Sequence, residues 1–122
     1  MNRGDIWTVS GGGTYVAKPR PVVIIQDQSF AATESITICP LTSDPTLLPL
    51  FRVEVTPSEE NGLISASRVM ADKITTVAKA KLGRRIGRLS LVDVQRLDRA
   101  IMVFLGLTRS SGSGLSPSPP FP

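Results

Sequence analysis

Lys18-Pro19-Arg20-Pro21-Val22-Val23-Ile24-Ile25-Gln26 is the stretch on which the fold turns. Val22 to Ile25 are four β-branched residues in a row, stiff at χ1 and best accommodated in extended chain. An unbroken apolar run, as opposed to an alternating one, is the pattern of a central strand covered on both faces. The residue before a proline is pushed towards extended geometry, so Arg20, between Pro19 and Pro21, heads this strand with a restricted backbone. A guanidinium held at a strand end, beside the Gly11-Gly12-Gly13 loop, is placed to grip a phosphate. The competing reading is an arginine that pairs with a carboxylate and closes the end of a barrel.

The neighbouring sequence also reads as short strands. Ile6 to Val9 stops at the glycines, Ser35 to Cys39 alternates and stops at Pro40, and Phe51 to Thr56 alternates and stops at Pro57. Leu63 to Met70, Lys73 to Val77 and Lys81 to Leu89 supply three more. Short strands at regular spacing with turn residues between them predict a small barrel or sandwich. The period then changes. Ser90 is an N-cap with Asp93 three residues on, Val94, Leu97, Ile101 and Phe104 recur at helical spacing, and Gly106 is a stop. Ala100 to Leu105 is apolar nearly all round, which predicts a last turn buried against the barrel and a second subunit. Ser110 to Pro122 is a Ser/Gly/Pro-rich stretch with little to bury, so the expected organisation is one domain over 1–109 and a disordered tail over 110–122.

Composition narrows the chemistry. The 122 residues are 41% hydrophobic, enough to build a core, and include no histidine and one cysteine, Cys39. Nucleophile systems that need an imidazole are excluded, as are His/Cys zinc sites within one chain and any internal disulfide. Cysteine usage, the lack of an apolar leader in Met1 to Trp7 and the shortness of the apolar runs point to a cytoplasmic protein with no membrane span. Charge is uneven. The first 61 residues hold four basic and seven acidic groups, net −3, and the remainder ten basic and three acidic, net +7. Such a field attracts polyanions.

Three further places carry candidate chemistry. Pro40-Leu41-Thr42-Ser43-Asp44-Pro45 gathers two hydroxyls and a carboxylate past a strand end, a pattern that ordinary turn chemistry also produces. Asp72-Lys73 lies between two apolar strands, and strand parity would place Arg68, Met70 and Asp72 on one face, as a general base or a plain ion pair. In the basic run, parity sets Arg84 and Arg88 on one face and Lys79, Lys81 and Arg85 on the other, so the ribbon does not aim all five at one ligand.

In order, Arg3-Gly4-Asp5-Ile6-Trp7, Lys18 to Gln26, Pro40-Leu41-Thr42-Ser43, Asp72-Lys73-Ile74 and Leu82-Gly83-Arg84-Arg85-Ile86-Gly87-Arg88-Leu89 resemble the MazF/PemK (Kid) toxins of bacterial type II toxin-antitoxin modules. The resemblance spans about Asn2 to Leu107. It implies an SH3-like (PemK/CcdB-like) small β-barrel, mainly β with a C-terminal helix, acting as a homodimer. It further implies a sequence-specific endoribonuclease that cuts single-stranded RNA without metal or cofactor. A cognate MazE-like antitoxin with an acidic or amphipathic tail would silence it, and DNA would be met only through the toxin-antitoxin complex. The family's catalytic positions fall on Arg20, Thr42 and Asp72, and the RNA path on Tyr15, Lys18, Ser43 and Lys73. Two departures stand out. Val16-Ala17-Lys18-Pro19 replaces a Glu/Gln-rich stretch, and Met70 stands where the Kid branch has an arginine, the nearest here being Arg68. Two readings of the group that removes the 2′-proton therefore stay open, Asp72 first and Arg20 acting alone second. The rival functions are a non-catalytic RNA-binding barrel and a CcdB-like gyrase poison, the latter disfavoured by the Pro/Ser-rich C-terminus.

Overall fold

The computed structural model describes residues 1–10, 19–48 and 50–108. Its elements are β1 (Asp5–Val9), β2 (Arg20–Ile24), β3 (Ser35–Thr42), β4 (Arg52–Val55), β5 (Ser67–Met70), β6 (Thr75–Ala78), β7 (Leu82–Arg88) and α1 (Leu91–Phe104). The strands pair antiparallel in the order β4-β5-β3-β2-β1-β7, with β6 on β3. The arrangement is that of a small barrel whose ladder does not close, β4 and β7 being the ends of the path. Among the described residues no helix is long and apolar enough to cross a membrane. Tyr15, Lys18 and the 110–122 tail lie outside the described residues.

β2 is covered on both faces, as its β-branched run requires. Val23 belongs to the main core with Ile6, Cys39, Leu41, Val53, Val55, Val69, Leu89, Leu97 and Ala100. Val22 and Ile24 belong to a second cluster with Ile36 and Ile38, against which Trp7, Val9, Val77 and Leu82 pack. Alternation along one strand thus feeds two apolar layers.

Three local expectations are corrected. β3 does not stop at Pro40 but runs to Thr42. On one edge β3 pairs with β2, Pro40 standing opposite Val22. On the other edge Ser35–Ile38 pair with β6, and Leu41 and Thr42 pair with β5. Pro40, which has no N–H to donate, falls in the gap where that second edge changes partner. The strand expected from Leu63 starts only at Ser67, because Gly62, at φ +68°, turns the chain and packs where a Cβ would meet the Ile86 carbonyl. Residues Ala71–Lys73 form a 3₁₀ turn, which breaks the parity that would have aligned Arg68, Met70 and Asp72.

The helix begins where its cap predicts, with the Ser90 hydroxyl accepting from the Asp93 N–H at 3.1 Å. It packs on β4 and the 3₁₀ turn, burying Leu97 and Ala100. The chain turns out of the helix at Gly106, φ +72°. The last turn is not buried within the chain: Phe104 rests on Phe51 with ring centroids 5.5 Å apart, yet Met102, Val103, Phe104 and Leu105 stay 40–51% exposed. Leu97, 2% exposed, is the helix's main anchor. Leu97→Ala should lower the unfolding free energy by about 2–5 kcal/mol, read from urea denaturation.

Candidate active site

The register of the sheet builds the site. β2 and β3 pair from Ile24–Ile38 to Val22–Pro40, and Arg20, the first residue of β2, and Thr42, the last of β3, each lie two residues beyond that last pair, on the same side of their strands as Val22 and Pro40. Thr42 is in turn the register partner of Arg68, and Arg68 that of Glu54. The adjacent rung, Leu41, Val69 and Val53, points into the main core. The Thr42 rung therefore faces the opposite way, at the end of the rows that carry the second apolar cluster.

The groove beside this rung has a volume of about 760 Å³. Arg20, Thr42 and Ser43 line it, joined by Thr8, Leu63, Ile64, Ser65, Ser67 and Arg84. One wall is the loop ahead of β5, and Asn61 holds that loop in shape. Its side-chain amide donates to the Thr56 carbonyl at 2.8 Å, and its oxygen accepts from the Ser58 and Leu63 N–H groups at 2.9 and 3.0 Å. Every polar atom of the buried Asn61 side chain is thus engaged. Sequence reading had placed a strand here and missed Ile64, Ser65 and Ser67 as groove residues. The Asn61-Gly62 pair, a strong turn signal, was the available clue.

Charge in the groove is set by which cations find partners elsewhere. Arg3 pairs with Asp98, Arg52 with Asp72, Arg68 with Glu54, Arg85 with Asp5, Arg88 with Glu60 and Arg96 with Asp93. Arg20 and Arg84 line the groove, and neither forms an ion pair among the described residues. The Thr42 hydroxyl accepts the Asp44 N–H at 3.1 Å, which leaves its own proton for an acceptor in the groove. Two guanidinium groups and an oriented hydroxyl make a site for an anion with several oxygens, a phosphodiester above all.

Asp72 and Lys73 are not on the groove wall. The Asp72 carboxylate accepts Arg52 Nε at 3.2 Å and Nη2 at 3.1 Å, with both side chains largely shielded. Burial is the largest single influence and works against its charge, but the Arg52 hydrogen bonds, a backbone N–H and the charges of Arg52 and Lys73 together hold the carboxyl below the usual carboxylate range. Cys39 is inert by the same logic, burial pushing its thiol up to about 12. A carboxyl with a depressed folded-state value adds stability that is complete above its unfolded value of about 3.9 and is lost as the pH falls through the folded one. Asp72→Asn should therefore flatten the acid limb of the stability curve below about pH 4, measured by denaturant midpoints at successive pH values.

Comparisons with known proteins bear on this geometry. The profile of the PemK-like, MazF-like toxins of type II toxin-antitoxin systems matches residues 2–105. A protein named probable endoribonuclease MazF from Mycolicibacterium smegmatis is 49% identical over 107 residues, covering 88% of this chain and 98% of the relative. Among solved structures, the Mycobacterium tuberculosis toxin MazF-mt6 is similar at a TM-score of 0.73 with 27% identity, covering 86% of this chain and 99% of the toxin. A mycobacterial endoribonuclease in complex with its cognate antitoxin shares the fold at a TM-score of 0.74 with 24% identity, covering 89% and 98% of the two chains. With the barrel, the C-terminal helix and the arginine-threonine groove in place, the chain belongs to the PemK-like, MazF-like toxin family of type II toxin-antitoxin systems, and its enzyme class is endoribonuclease.

Proposed function

We propose that this protein cuts single-stranded RNA sequence-specifically and without metal, leaving a 2′,3′-cyclic phosphate and a 5′-hydroxyl. The observation that carries the reading is Arg20, which forms no ion pair among the described residues, lining the same groove as a Thr42 hydroxyl whose proton is free to donate. RNA brings its own nucleophile, so the absence of histidine is no obstacle. The 2′-oxygen attacks the adjacent phosphorus and the P–O5′ bond breaks; water takes up the 2′-proton, and Arg20, which gives a proton to the 5′-oxygen, is reprotonated from that water. Arg20 balances the charge that grows on the phosphate and passes the proton to the leaving oxygen, while Thr42 donates to a non-bridging oxygen and keeps the phosphorus in line. Ser43 and Arg84 extend the track for the RNA backbone, and Tyr15, Lys18 and Lys73 are assigned to RNA contact by family resemblance. The ion pair of Asp72 with Arg52, away from the groove wall, favours the reading in which Arg20 acts without it.

The partners follow from the same surfaces. A cognate antitoxin with an acidic or amphipathic tail competes with RNA for the unpaired cations of the groove in the cytoplasm. The apolar end of α1, Met102 to Leu105, continued by Leu107 at 70% exposure, is the surface on which two copies form a homodimer.

Arg20→Ala should remain folded and lose about 10²–10³ in cleavage rate, as expected for removal of one charge-stabilising donor. Asp72→Asn should lose less than about tenfold. Both are measured on a structureless RNA oligonucleotide in excess EDTA, with the 5′ ends of the products sequenced. Cleavage by Arg20→Ala at the parental rate would refute the assignment, and a parental protein that binds but never cuts would make it an RNA-binding barrel.

A further inference from the structure

Arg68 does not line the groove, yet it is tied to Thr42 by two routes. It is the register partner of Thr42, and it holds the turn that orients the Thr42 hydroxyl. Its side chain is 12% exposed. Nη2 donates to Glu54 Oε2 at 3.1 Å and Nη1 to the Asp44 carbonyl at 3.2 Å. Asp44 is the residue whose N–H meets the Thr42 hydroxyl. The Asp44 carboxylate also accepts the Thr46 N–H at 2.9 Å and the Thr46 hydroxyl at 2.7 Å. Amide, carbonyl and carboxylate of a single residue are therefore all fixed, and Pro45 restricts its backbone further.

We propose that Arg68 is a positioning residue for Thr42. Anchored by Glu54, it clamps the Asp44 carbonyl, so that the Asp44 amide occupies one lone pair of the Thr42 oxygen and leaves the hydroxyl proton directed at the substrate phosphate. The inference rests on the groove being the site of RNA cleavage. A hydroxyl without that clamp samples all its staggered positions, and the loss falls on the step in which charge builds on the phosphate, not on RNA binding. An arginine suits the task because its planar fork reaches a carboxylate and a carbonyl at once, whereas a lysine offers one point charge.

The test is a double-mutant cycle on the full chain, using a short single-stranded RNA that the parental protein cuts. Arg68→Met should lower kcat about tenfold and leave KM within about twofold. Placed on Thr42→Val, the same change should cost less than about twofold, because the group through which Arg68 acts is gone. Arg68→Lys, which keeps the charge beside Glu54, should lower kcat about threefold and carries the same cycle if circular dichroism shows Arg68→Met unfolded. An equal loss in both backgrounds would make Arg68 a brace between β4 and β5 and overturn the proposal, as would a rise in KM alone or parental kinetics in both Arg68 variants. If the parental protein cuts no RNA, the cleavage reading fails and this inference with it. If the parental protein cuts and the cycle shows no coupling, this inference alone fails.

Discussion

The constraint on which the structure depends is the divided edge of β3. One edge holds β2 throughout their overlap, while the other passes from β6 to β5 within a single strand. A strand that hands one edge from partner to partner must bend the sheet, and bending is how a short ladder wraps a core. Pro40 makes the handover tolerable because it presents no donor at the rung where no partner is waiting. Beyond it, two residues of β3 carry the consequences in opposite directions. Leu41 closes the main core against Val69, and Thr42 faces outward to the groove that Arg20 also lines. The site is therefore not an addition to the barrel but the first outward rung after its sharpest change of pairing.

The ion pairs serve the groove more than they serve stability. Exposed pairs such as Arg88–Glu60 contribute at most about 1 kcal/mol each. Their effect on the field is larger. Four of the six engage cations of the basic second half, Arg68, Arg85, Arg88 and Arg96. The groove keeps Arg20 and Arg84, while Arg85 and Arg88 are turned to Asp5 and Glu60. A strongly basic composition becomes a local site by subtraction, and that subtraction depends on tertiary neighbours.

This explains how much was legible in advance. β2, the serine cap of α1 and the placing of Arg20 at a strand end depend on local rules, namely β-branching, pre-proline geometry and capping, and those rules act within a few residues, whereas the same rules end β3 at Pro40, two residues short of Thr42. The partner of Asp72 could not be read, because Arg52 lies twenty residues away and meets it only once β4 and β5 pair. The basic ribbon does not aim all five charges at the groove, as expected, but its faces do not follow simple parity. Lys79–Lys81 form a 3₁₀ turn, and the β1–β7 register shifts between Ile6 and Trp7 and again between Trp7 and Val9. Each shift moves later side chains to the other face, so a parity argument carried along Lys79 to Arg88 loses its footing. The loop wall at Leu63 to Ser67 was hidden because its alternation mimics a strand, and only the positive φ of Gly62 separates the two.

The placing of Asp72 also bears on how a histidine-free site handles a proton. To act as a base, Asp72 would first have to release two hydrogen bonds to Arg52 in a shielded setting, where an abandoned guanidinium is costly. It would then accept the proton poorly, because the partner that fixes it also depresses its affinity for protons. Both penalties have the same cause and cannot be relieved separately. Arg20 forms no ion pair among the described residues, so it has no such bond to release, its backbone is set by the prolines on either side, and as a guanidinium it acts as a donor. A donor already in place when the phosphate gains charge needs no reorganisation at that moment. The ion pair of Asp72 with Arg52, beside an Arg20 that forms none among the described residues, thus supports the proposal that the chemistry belongs to the strand end and the carboxylate to the fold.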